Sequence, residues 1–138
     1  MTRTRRRAAL ALAAVAVFLI PWTVYLTSRL PSHHRTPHWG IAWAGFDIAL
    51  AASSALTAYA LARRPGLVPI AATITGTLLV CDAWFDVLTS DHGEVIEAAL
   101  EAGFAELPLA ALCFWLAADS ERTLVRAVAG AVKGEPAE

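Results

Sequence analysis

Polar residues cluster in this chain at its two ends and at three interior breaks, leaving apolar blocks at about 8–28, 40–62, 67–88 and 95–117. Each block is close to the ~20 residues that cross the hydrocarbon of a bilayer as an α-helix. The first break, RLPSHHRTPHW, carries two prolines and three histidines. The second is the tight RRPG at 63–66, where Pro65 and Gly66 end one helix and turn the chain. The third is TSDHGE at 89–94. The pattern predicts an all-α fold, a transmembrane antiparallel four-helix bundle over residues 1–121, followed by a polar cytoplasmic tail, 122–138, that frays.

Composition strengthens this reading. The chain is 57% hydrophobic, which in 138 residues is more apolar sequence than one small soluble core takes up. The start, MTRTRRRAALALAAVAVFLIPW, has the basic-then-apolar order of a secretory signal. Its apolar run is longer than a signal needs, and no small-x-small site follows it, so it reads as a retained first helix. The arginines lack the full twin-arginine pattern.

Net charge, at -1, says little, but its distribution says more. In a four-span topology nine of the 11 Lys and Arg residues fall on one side: Arg3, Arg5, Arg6, Arg7, Arg63, Arg64, Arg122, Arg126 and Lys133. Only Arg29 and Arg35 fall on the other. The positive-inside rule then puts both termini in the cytoplasm, with Trp22, Trp39 and Trp43 toward the outer interface. Cys81 and Cys113 lie in different blocks at depths about 15 Å apart, too far for a disulfide, and read as two free, buried thiols.

Two segments repeat. Trp22-Thr-Val-Tyr-Leu-Thr-Ser aligns with Trp84-Phe-Asp-Val-Leu-Thr-Ser, and Ala44-Gly45-Phe46 with Ala102-Gly103-Phe104. The chain therefore reads as two helical hairpins in tandem, with chance matching of Ala-rich helices as the competing explanation.

The chemistry lies in acids placed inside the spans. A charged carboxylate at mid-bilayer costs about 2.5–3.5 kcal/mol on insertion scales, so such groups face the bundle interior and find partners. Asp47, Asp82 and Glu101 lie at similar depths, about 9–12 Å from the outer ends, with Asp86 and Glu97 shallower and Glu106 deeper. Thr75, Asp82 and Asp86 share one helix face, and Asp47 shares a face with Ser54. Glu106 points more than a right angle away from Glu97 and Glu101. The expected cluster is Asp47, Asp82 and Asp86, joined by one of Glu101 and Glu106. Close carboxylates favour holding a proton or a cation. A structural hydrogen-bonded network is the competing role, and Arg29 or Arg35 could clasp the shallower Asp86 and Glu97.

His33, His34, His38 and His92 sit in the outer loops, where imidazole and carboxylate together suit Zn²⁺-like ions. Their loop has no fixed geometry, so solvated histidines are the simpler reading. Pro21 and Pro108 kink their spans, and Pro108 does so beside Glu106. Small residues in ALAAVA, ALAAS and LPLAALC, with Gly40, Gly45 and Gly76, allow close helix approach. The sequence has no phosphate-binding glycine loop, serine elbow, CxxC or HExxH, which argues against a recognisable hydrolase.

The segments PWTVYL, WAGFDIAL, CDAWFDVLTS and AELPLAAL resemble a group of small, uncharacterised four-helix membrane proteins of actinobacteria, over Pro21 to about Leu116. The resemblance implies a bacterial plasma-membrane location and points to Asp47, Asp82, Trp84, Asp86 and Glu106. It implies no activity. Three functions stay open on the sequence. One is a proton or cation carrier, dimeric because four spans are few, although the inner half holds no ionisable partner. Another is an accessory subunit whose acids receive a basic residue from a partner membrane protein. The third is a metal-dependent enzyme acting on lipid headgroups. No cofactor is implied beyond these, and the partners are the lipid bilayer and another membrane protein or a second copy, with no nucleic acid.

Overall fold

The computed structural model describes residues 3–29, 38–90, 96, 99, 100 and 102–133. Its long helices are α1 (Arg3–Arg29), α2 (Trp39–Arg63), α3 (Val68–Thr89) and α4 (Leu107–Lys133). No strand occurs among the described residues. A short 3₁₀ turn, Pro65–Leu67, joins α2 to α3, and a π-helical turn, Ala102–Glu106, leads into α4. All four helices are long and apolar enough to cross a membrane.

Local chemistry accounts for the boundaries. Pro65 and Pro69 sit at the first positions of their helical turns, where the missing N–H would be unsatisfied anyway. His38 precedes α2 in the left-handed region, with φ 71. Pro21 lies inside α1 without ending it. The fourth helix differs from expectation at its far end. It continues through Lys133, past the expected end of the span near residue 117, and residues 121–131 are all exposed. Ala, Val, Leu and Arg there are good or adequate helix formers, and Gly130 alone does not break the run.

Buried positions recur at intervals of three and four on every helix: Ala8, Leu12, Ala16 and Leu19 on α1; Asp47, Leu50, Ser54, Thr57 and Leu61 on α2. The same spacing gives Val68, Ala72, Thr75, Leu79 and Asp82 on α3, and Ala110, Cys113, Leu116 and Ser120 on α4. Such spacing is that of the seam along which bundle helices pack. α1 packs chiefly on α2 and α3 chiefly on α4, with a smaller α2–α3 contact between them, so the chain forms two hairpins joined along α2 and α3.

Cross-contacts fix the directions. Glu106 lies beside Asp82 and Asp86, while Cys113 and Phe114 lie beside Gly76, so residue numbers rise on α4 as they fall on α3. Thr57 meets Thr75, each seven or eight residues from the 3₁₀ turn, which folds α3 back along α2. Thr23 meets Asp47 near the end of α1 and the beginning of α2. Arg5 meets Asp119 and Ser120 at the opposite end. One end of the bundle thus carries the acids and the other the arginines. Around it, Val17, Ile20, Val24, Ile41, Ile48, Ile70 and Phe104 are each more than 60% exposed, an apolar girdle suited to lipid chains.

Gly76 sets the approach of α3 and α4. A Cβ there would stand 3.1 Å from two ring carbons of Phe114 and 3.2 Å from the Cβ of Cys113. Cys113 is fully buried, Cys81 half-buried, and both thiols are free.

Candidate functional site: a carboxylate triad

Asp82, Asp86 and Glu106 converge. One oxygen from each lies within 4.8 Å of the other two, with Asp82 buried and the others half-buried. Asp82 and Asp86 are four apart on α3, one helical turn, so both project from the same face. The carbonyl of Asp86 accepts from the backbone N–H of Ser90 at 3.1 Å and from its hydroxyl, closing the last turn of α3 directly on the site. The C-terminal end of a helix carries partial negative charge on its unpaired carbonyls. It adds to the negative potential that the carboxylates create.

Glu106 reaches this face because of the π turn. Its i→i+5 bonding takes one more residue per turn than an α-helix and rotates the residues on its two sides relative to one another by about 100°. Counting through 95–117 as a uniform α-helix turns Glu106 away from the acids that precede it; the π turn, Ala102–Glu106, breaks that uniform count. The cause is next in sequence. Pro108 cannot donate to the carbonyl four residues before it, and its ring crowds that carbonyl, so the helix widens just ahead of it. In the sequence alone, Ala44-Gly-Phe-Asp47 can be aligned with Ala102-Gly-Phe-Ala-Glu106 if Ala105 is taken as an extra residue, which would set Glu106 opposite Asp47.

Asp47 is not a member of the triad. It lies 5% exposed on α2, where Thr23 of α1 donates to its Oδ2 at 3.0 Å. Thr23 also lies 2.8 Å from the carbonyl of Leu19. A hydroxyl has one proton, and these two neighbours both accept, an arrangement that a proton on Asp47 would complete. Of the expected Asp47–Asp82–Asp86 cluster, Asp82 and Asp86 lie in the triad with Glu106, and Asp47 is held by Thr23 of the first hairpin. Asp47 follows Thr23 because α1 is its principal packing neighbour.

Below the triad the polar seam continues through hydroxyls. Ser54 is fully buried and its Oγ has no hydrogen-bond partner among the described residues. Thr57 Oγ1 lies 2.9 Å from the carbonyl of Ser53, Thr75 Oγ1 lies 3.1 Å from that of Ala71, and the two hydroxyls are 2.9 Å apart. Two protons serve three contacts. Beyond this pair the core is apolar: Ala60, Leu61, Val68, Ala71 and Ala72, with Leu12 and Leu116. The seam turns polar again only at the arginine end, where Arg5 donates to Asp119 at 2.8 Å and to Ser120 at 3.2 Å.

Thr23 and Thr57 carry no distinguishing motif. Extending the three-and-four spacing of Ser54 and Asp47 finds Thr57, and the same spacing forward from Leu19 finds Thr23. Glu101, Glu97, His33, His34 and His92, with Arg35, lie outside the described residues. His38 is exposed and does not belong to the triad. Two apolar hollows flank the acid end, about 200 Å³ against Trp43, Phe46 and Phe85, and about 580 Å³ against Trp84, Leu88, Gly103 and Leu107. Among the described residues, neither is lined by a carboxylate.

No protein-family model matches the sequence, and no curated protein or solved structure is significantly similar to it.

Proposed function

We propose that this is a multi-pass membrane protein whose acid end binds a hard cation in exchange for protons, at Asp82, Asp86 and Glu106. The observation that carries the reading is the convergence of three carboxylates, one of them buried, at the C-terminal end of a helix in an apolar bundle. Two unit charges 4.8 Å apart repel by about 3.5 kcal/mol at an effective dielectric near 20. Three ionised carboxylates contain three such pairs, so a shared proton or a bound cation relieves the larger part of the strain.

The spacing suits an oxygen-seeking ion. An ion about 2.3–2.6 Å from each ligand spans oxygen pairs up to about 5 Å apart, which covers the separations in the triad. Mg²⁺, at about 2.0–2.1 Å, would need the oxygens to draw in. The apolar plug beneath Thr57 and Thr75 favours a site open from the acid end over a continuous pore.

The test measures Ca²⁺ binding to the purified protein by calorimetry, together with proton release in weak buffer. Saturable binding with proton release, both lost in Asp82→Asn and Glu106→Gln, supports the reading. Absence of binding and of proton exchange in folded protein refutes it. Flux of protons or cations into proteoliposomes that depends on Asp82 would overturn the closed-site part and leave a carrier.

A further inference from the structure

We propose that the arginine end is a binding surface for anionic phospholipid headgroups, engaged by Arg6, Arg7, Arg63, Arg64, Arg122 and Arg126. All six side chains are exposed. The start of α1, the end of α2 and the side of α4 bring them together. Arg5, between α1 and α4, is turned inward to Asp119 and Ser120, which fastens the start of α1 to the side of α4. One and two residues on, Arg6 and Arg7 point away from that contact, about 100° and 200° further round the helix. Arg63 and Arg64 close α2 beside the 3₁₀ turn. The register set by Gly76 against Cys113 carries the start of α3 to about the level of Arg122, and Arg126 follows one turn later on the same face.

Charge at this end is one-sided. Asp119 is occupied by Arg5, and the other described acid there is Glu121. Most of the exposed apolar side chains lie on the acid side of these arginines, although Val125 and Val128 of α4 are exposed among them. The 22 residues of α3 span about 33 Å, one hydrocarbon thickness, so guanidinium groups just past its first residue stand at the headgroup level of one leaflet. A guanidinium matches a phosphate with two parallel hydrogen bonds, and a cluster of them beside a membrane span selects net negative lipid. Among the described side chains, the acid end carries the opposite sign. The inference stands apart from the triad, which lies at the other end of the bundle.

The experiment is thermal unfolding of the full chain in neutral detergent with added phosphatidylglycerol, phosphatidylcholine or inorganic phosphate. Phosphatidylglycerol should raise Tm by several degrees more than phosphatidylcholine at equal concentration, and inorganic phosphate should add nothing. Raising salt from about 0.1 M to about 1 M shortens the screening length from ~10 to ~3 Å and should remove most of the difference. The variant Arg6→Gln/Arg7→Gln/Arg63→Gln/Arg64→Gln should respond to the two lipids alike. Equal responses of the wild type to both lipids, a difference that survives high salt, or a match by inorganic phosphate would overturn the proposal. The salt and phosphate arms use wild type alone, so they decide the matter even if the variant does not fold.

Discussion

Replacing Asp86 by asparagine keeps the shape of the triad and removes one of its charges. With all three carboxylates ionised, the substitution deletes two of three repulsive pairs, about 7 kcal/mol at the dielectric used above. A folded protein does not carry that burden when a proton or cation can relieve it. Wild type holding one proton has a single ionised pair, as does the asparagine variant with none. Their stabilities in the presence of a chelator should therefore differ by less than about 1 kcal/mol, since the exchange is isosteric. The difference appears on adding Ca²⁺. A ligand at a hundredfold excess over its Kd stabilises the state that binds it by about 2.7 kcal/mol, roughly 10 °C in Tm for a chain of this size. Asp86→Asn, lacking one ligand oxygen charge, should lose most of that shift. The assay is thermal unfolding in detergent with chelator or with excess Ca²⁺. Equal shifts in wild type and variant, or no shift in wild type, would refute the reasoning.

Other consequences are local. Gly76→Leu should separate α3 from α4 and cost about 1–3 kcal/mol or more, whereas Gly76→Ala should cost less because the Phe114 ring is 41% exposed and free to swing aside; the Tm values of the two variants check the order. Thr57→Val and Thr75→Val should each lower stability, with a coupling of about 1 kcal/mol in the double-mutant cycle, and strict additivity would contradict the direct contact. A membrane-permeant maleimide should label the half-buried Cys81 in folded protein and leave the fully buried Cys113 unlabelled until unfolding, as read by mass spectrometry.

Much of the architecture follows from hydropathy, because a helix that crosses lipid must be long, continuous and apolar. Three of the four helices begin and end within a few residues of where the polar breaks predict. The fourth does not, since α4 owes its last turns to propensity and not to hydropathy. Asp82 and Asp86 share a face by simple arithmetic on a regular helix. Glu106 escapes that arithmetic: one inserted residue before a proline changes the angular count, and no periodicity computed at a fixed pitch carries it. The partner of Asp47 is a different matter. Which helix neighbours which is a tertiary choice, and nothing in the pattern of α2 alone says that Thr23 of α1 is the residue bonded to Asp47. The hydroxyl seam was present in the spacing, but serine and threonine in an apolar helix usually satisfy themselves on their own backbone.

The Thr57–Thr75 pair illustrates what that self-satisfaction leaves over. Each oxygen has a carbonyl on its own helix and the other oxygen as neighbour, and between them they own two hydrogens for three contacts. Either hydroxyl can turn to its partner while the other keeps its carbonyl, so the centre of the bundle has two near-equivalent proton orders with opposite dipoles. Passing between them moves no heavy atom. The middle of the protein is thereby polarisable in a direction fixed by the line joining α2 and α3, and a change of charge on Asp82, two turns above, tilts the balance between the two orders. An interior that looks inert in its carbon skeleton can register, in hydrogen positions alone, what the acid end is holding.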